Sequence, residues 1–165
     1  MDKCLFMVCP TDHLEPAIDH WFEGFKYYYS SLGNTFSLDE KTLGHISDLI
    51  EKNGIGQIMV ILSENNRIVL DALNKRQYVE ITGLAEPYGH LIDHKKHVVN
   101  TWQAPNQSQL VLSRHLNQKI AELSDSLKGH LTAQPHISGK LYSKKEKIFK
   151  DIHSCLVCAD SIHLN

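Results

Sequence analysis

Two short runs, "CLFMVC" at residues 4–9 and "QIMVIL" at residues 57–62, are apolar at almost every position. A strand with one wet face alternates polar and apolar residues. A short unbroken apolar run therefore reads as a strand buried on both faces, as in a parallel sheet covered by helices. The intervening segments fit that frame. Pro16 sits where a first helical turn tolerates it, and Ala17, Ile18, Trp21, Phe22 and Phe25 predict an amphipathic helix ending near Gly24. "KYYYSSLGNTF" reads as a second extended segment that breaks at Gly33-Asn34. Asp39 is placed to cap a helix with apolar positions Leu43, Ile46, Leu49 and Ile50, ended by Gly54 and Gly56.

Strand, helix, extended segment, helix, strand is an α/β pattern with right-handed crossovers expected. The middle, 70–108, is punctuated by Pro87, Gly89 and Pro105, and its pattern predicts only a short helix around 89–99 between loops. Leu112, Leu116, Ile120, Leu123, Leu127 and Leu131 then form a clean helical stripe. "HISGKLYSKKEKIFKDI" reads as a strand, a turn at Ser143–Glu146 and a return strand, and the tail 153–165 as a short helix. With no repeat, linker or low-complexity block, the 165 residues make one domain, large enough for a self-sufficient core.

The formal charge of −2 argues against a nucleic-acid binder, and the basic run from Lys140 to Lys150 reads as a solvated hairpin. No stretch approaches the roughly 18 apolar residues of a membrane span, and no signal peptide is evident, so the expected compartment is the cytoplasm. There Cys4, Cys9, Cys155 and Cys158 stay reduced, leaving burial, metal or redox as their roles.

Three groupings carry chemistry. In "CPTDHLEP", Cys9, Asp12 and His13 follow the first strand, at the strand end where open α/β sheets hold their ligands. Asp12 and His13 are the candidate acid–base pair, since a neighbouring carboxylate moves a histidine across neutral pH. Cys9 is either a metal ligand or a buried thiol. In "HLIDHKKH", His90, His94 and His97 share one face if the segment is helical, as metal ligands or as a solvated surface. The tail places Cys155, Cys158 and His163 at the spacing of three zinc-knuckle ligands, with apolar packing the plainer alternative. No glycine-rich phosphate loop is present, because "GIG" at 54–56 leads into a strand and not a helix.

Taken in order, these pieces resemble the β-class carbonic anhydrases. "CPTDHLEP" is similar to that family's cysteine, Asp-Ser-Arg and following proline, and "SSLGNTF" to its Arg-Asn-Ala-Gly-Asn segment. "TLGHISDLIEKNGIGQIMVI" resembles the helix and strand leading to its Gly-His-Ser-x-Cys-Gly motif. "LNQKIAEL" and "ISGKLYSKKEKIF" resemble its late helix and closing strand-turn-strand. The likeness runs from about residue 4 to 150, apart from the middle. It implies a parallel sheet in the order 2-1-3-4 with an antiparallel edge strand, a homodimer, and a zinc site at the strand ends.

Carried over residue by residue, the resemblance makes Cys9 the first zinc ligand, puts Thr11 at the family's Asp and His13 at its Arg. Ser63 stands at the histidine ligand and Asn66 at the second cysteine. Zinc hydration chemistry needs three protein ligands and one open position to bring bound water near neutral pKa. A serine hydroxyl and an asparagine amide are weak, neutral donors better suited to harder cations. The resemblance therefore implies a dismantled zinc site, no cofactor and a binding or interaction role, with Gly33, Asn34, Ser63 and Asn66 lining the former cleft. A lyase or hydrolase with a site rebuilt from Cys9 and histidines, again around zinc, is the enzyme alternative. An unrelated flavodoxin-like or Rossmann-like module is the third.

Overall fold

The computed structural model describes residues 2–73, 88–89, 92 and 107–152. The strands are β1 (Lys3–Val8), β2 (Phe25–Ser30), β3 (Gln57–Ser63), β4 (His136–Ser143) and β5 (Ile148–Asp151). They form one sheet in the order β2-β1-β3-β4-β5, with β5 antiparallel and every other neighbour pair parallel. That is the expected order. The helices are α1 (Glu15–Trp21), α2 (Glu40–Asn53), α3 (Arg67–Leu73) and α4 (Gln107–Leu127). None of the described helices is long and apolar enough to cross a membrane.

The two apolar runs become the two central strands, and their alternation sorts side chains between two cores. Leu5, Met7 and Cys9 of the first run and Ile58, Val60 and Leu62 of the second face the larger core, beneath α2, α3 and α4. Cys4, Phe6, Val8, Met59 and Ile61 face a smaller core closed by Leu14, just before α1, and Ile18 of α1, with Phe22, Tyr142 and Phe149 at its margin. Burial raises the Cys4 thiol to about 12, which makes it an inert packing group.

Local signals set most boundaries. The Asp39 carboxylate accepts the Thr42 N–H at 2.8 Å, and Gly54 closes α2 in the left-handed region at φ 62°. In α4 the stripe residues Leu112, Leu116, Leu123 and Leu127 are buried, while Leu131 lies past the helix end. Helix α1 is shorter than its pattern predicts. It stops at Trp21, and Gly24 at φ 91° packs so close to the Asp2 carbonyl that no Cβ fits there. Phe25 thus starts β2 instead of extending the helix. Helix α3 is an element the sequence reading did not contain. The short helix expected at 89–99 and the tail lie almost wholly outside the described residues, and so do His90, His94, His97, Cys155, Cys158 and His163.

Candidate functional site

The site begins where β1 ends. Pro10 lacks the N–H that would continue the ladder, and Pro10–Asp12 form a single 3-10 turn closed by the Asp12 N–H on the Cys9 carbonyl at 3.0 Å. Side chains three apart eclipse in a 3-10 turn, so Cys9 and Asp12 point the same way, into the protein. His13 follows in the left-handed region at φ 53° and is turned out to solvent.

Both inward groups find partners at once. The Cys9 sulfur accepts the Gly33 N–H at 3.1 Å and lies 3.1 Å from the Thr11 hydroxyl. One oxygen of Asp12 accepts the backbone N–H of Ser63 at 2.8 Å and the Asn66 amide at 3.0 Å. The other end of the Asn66 side chain accepts the Val69 N–H at 3.0 Å, so Asn66 is the N-cap of α3. Asn34 donates to the carbonyls of Met7 and Ile61 at 3.2 and 2.8 Å, tying the ends of β1 and β3 together. Burial is the main influence on Asp12 and raises its pKa above the ordinary carboxylate value, against the pull of the Ser63 and Asn66 hydrogen bonds and the Lys144 and His13 charges.

The structure therefore brings Cys9, Asp12, Gly33, Asn34, Ser63 and Asn66 together, but not around a shared open cleft. Cys9 is 1% exposed and Asn34, Ser63 and Asn66 are fully buried, so the expected cleft lining is corrected to a closed hydrogen-bonded node. The reason is the inward turn of Asp12, whose carboxylate fills the position over Ser63 and Asn66. Asp12 and His13 diverge: the first is buried, the second exposed. Their pairing as acid and base has no hydrogen bond behind it among the described residues.

Sequence reasoning missed His115. Its buried ring sits on α4 with Nε2 2.8 Å from the Gly33 carbonyl, and since a carbonyl only accepts, Nε2 carries the proton. This bond holds the left-handed Gly33 turn (φ 60°) whose N–H meets Cys9. The signal was present: His115 falls on the same helix face as Leu112 and Leu116, where a polar residue requires a buried partner.

For a metal ion the node is poorly made. Among the described residues, no three His, Cys, Asp or Glu side chains come together as a metal ion requires. Cys9 is the lone thiol of the node, Ser63 offers its N–H inward, and both ends of the Asn66 amide are taken. The zinc that the resemblance implies does not fit this donor set.

A hollow adjoins the node at Asp12. A cleft of about 580 Å³ opens between α1 and the β4–β5 hairpin, bordered by Asp12, His13, His20, Trp21, Lys144 and Lys147 among others.

The sequence matches no protein-family model. It matches no curated protein either. Solved structures do match. A point mutant of CafD, a β-carbonic anhydrase of the filamentous fungus Aspergillus fumigatus, superposes with a TM-score of 0.70 at 13% identity, covering 93% of this chain and 90% of that one. One of two tetrameric β-carbonic anhydrases from the ascomycete Sordaria macrospora gives 0.68 at 12% identity, over 92% of this chain and 80% of that one. The Coccomyxa enzyme in complex with acetazolamide gives 0.66 at 14%, over 92% and 72%.

Proposed function

We propose that this chain, which has the fold of the β-carbonic anhydrases, no longer hydrates carbon dioxide and works by binding. The observation that carries the reading is the closed node. Where three ligands and an open position would be needed, one carboxylate oxygen is saturated by Ser63 and Asn66, and Asn66 is spent on capping α3. A water cannot be activated at a metal that has neither a third donor nor a vacant place. The proposal includes a single domain over 1–165, no resident cofactor, a homodimer, and a cytoplasmic home for the free thiols Cys4 and Cys9.

The test is direct. Untagged protein loaded with zinc should hydrate carbon dioxide no faster than buffer in a stopped-flow assay, and should retain less than one zinc per chain after desalting. Activity that disappears in Cys9→Ser would sink the reading.

A further inference from the structure

The cleft beside α1 is bordered by more basic than acidic side chains. Lys144 and Lys147 of the hairpin and His13 and His20 of the opposite wall border it, against a single carboxylate, Asp12. Asp12 directs one oxygen inward to Ser63 and Asn66. Three other carboxylates nearby are engaged elsewhere, while Glu15 lies next to the lining residues Leu14 and Pro16. Glu146 and Glu64 both pair with Lys150, at 2.7 and 3.4 Å, and Asp19 pairs with Lys26 at 3.6 Å. Among the described residues neither Lys144 nor Lys147 is in an ion pair.

The backbone of the turn that carries Lys144 and Lys147 is held in place, with both side chains exposed. The buried Ser143 accepts the Lys147 N–H on its carbonyl at 2.7 Å and the Glu146 N–H on its hydroxyl at 3.4 Å, which fixes the hairpin tip. His13 and Lys147 both occupy the left-handed region, at φ 53° and 58°. Glycine or asparagine would hold those turns at lower cost, by about 1 kcal/mol. The chain carries basic side chains there instead. Trp21, 49% exposed, supplies an apolar wall and is steadied edge-on by Phe149 at 6.4 Å between ring centroids. On the far side of His13 and Lys144 a second hollow of about 340 Å³ includes Arg67, so the positive strip continues.

We propose that this cleft binds a small organic phosphate monoester, its phosphate between Lys144 and Lys147 with His13 alongside and its apolar part against Trp21. The volume suits such a ligand. Phosphate is the better match than carboxylate because ammonium and imidazole groups act as separate point donors around a tetrahedral dianion. Lysine meets phosphate as a point charge and needs no arginine fork, and Arg67 stands outside this cleft. The assignment rests on the binding reading above and gives it a ligand class.

Phenyl phosphate, titrated calorimetrically into the full chain at pH 7 and low salt, should bind with a Kd of about 1 mM or tighter. Lys144→Gln combined with Lys147→Asn, which keeps a residue tolerant of the left-handed region, should weaken it by about tenfold or more. Trp21→Ala should weaken phenyl phosphate and leave inorganic phosphate unchanged. No binding at about 10 mM, well above that Kd, or equal binding by a double variant of unchanged melting temperature, would overturn the site. Benzoate binding as tightly as phenyl phosphate would overturn the phosphate assignment. Inorganic phosphate binding as tightly as phenyl phosphate would remove the apolar contact. A zinc-dependent hydratase rate would defeat the preceding reading alone, since this titration reads affinity directly.

Discussion

At residue scale Asp12 ties the turn after β1 to the end of β3. Its single engaged oxygen satisfies the Ser63 N–H and the Asn66 amide, both buried. Asp12→Ala strands both donors and should cost about 2 to 4 kcal/mol in urea unfolding. Asp12→Asn keeps one acceptor oxygen and should cost about half of that or less. The pair also yields a sign. Burial raises the Asp12 pKa in the folded state, so its ionisation is harder there than in the unfolded chain. The stability of the native protein relative to Asp12→Asn should thus be greatest below about pH 4 and fall as pH rises through the raised value. A difference that grows with pH would mean that the hydrogen bonds, not burial, dominate. Much of this node was legible: the loops after β1, β2 and β3 had to meet where parallel strands end. The direction of Asp12 was not, because it depends on the 3-10 eclipse with Cys9 and on the left-handed turn at His13. His115 lies 82 residues from its partner Gly33, and no local pattern links them.

Among the elements, the long periodic ones announced themselves and the short ones did not. Helix α4 and the apolar strands β1 and β3 have enough repeats for their period to show, and Asp39 and Gly54 mark both ends of α2. Helix α3 has only seven residues, and Asn66 reads as its cap only once Asp12 is known to hold the other end of the amide. Reading β2 as an extended segment placed the strand correctly but not its aromatic faces. Tyr27 and Tyr29 pack on the larger core, while Phe25 and Tyr28 are 55% and 37% exposed. Strand β2 is also the sheet's edge. An edge strand with exposed rings invites pairing with a second copy, and β2 carries only one charge, Lys26. Light scattering at micromolar concentration should therefore show a dimer. Phe25→Lys, which places a charge on that edge, should give a monomer with little loss of chain stability. A wild-type monomer would remove the edge from the account.

For the whole molecule, what decides between a lost metal site and a hidden one is whether the fold needs the ion. Among the described residues, α2, α3 and α4 cover one face of the sheet and α1 the other, and the central strands are sealed by apolar side chains on both. The strand ends are tied by neutral and singly charged hydrogen bonds without an ion, and Asn34 Oδ1 is the one side-chain atom of these ties that is buried with no partner among the described residues. Ligand that binds only the folded state raises stability by about 4 kcal/mol at a thousandfold excess over its Kd. For a chain of this length that is a rise in melting temperature on the order of 10 °C. A hidden zinc centre would thus declare itself in a thermal melt. The closed node predicts no shift beyond about 1 °C, either on adding excess zinc or on treating the purified protein with a chelator. The variants sort any other result. A large zinc-dependent rise abolished by Cys9→Ala would mean that the node opens and recruits donors, and the loss of the metal site would be refuted. A rise that survives Cys9→Ala but vanishes in Cys155→Ser/Cys158→Ser would assign the ion to the tail cysteines, leaving the strand ends as the hydrogen bonds leave them.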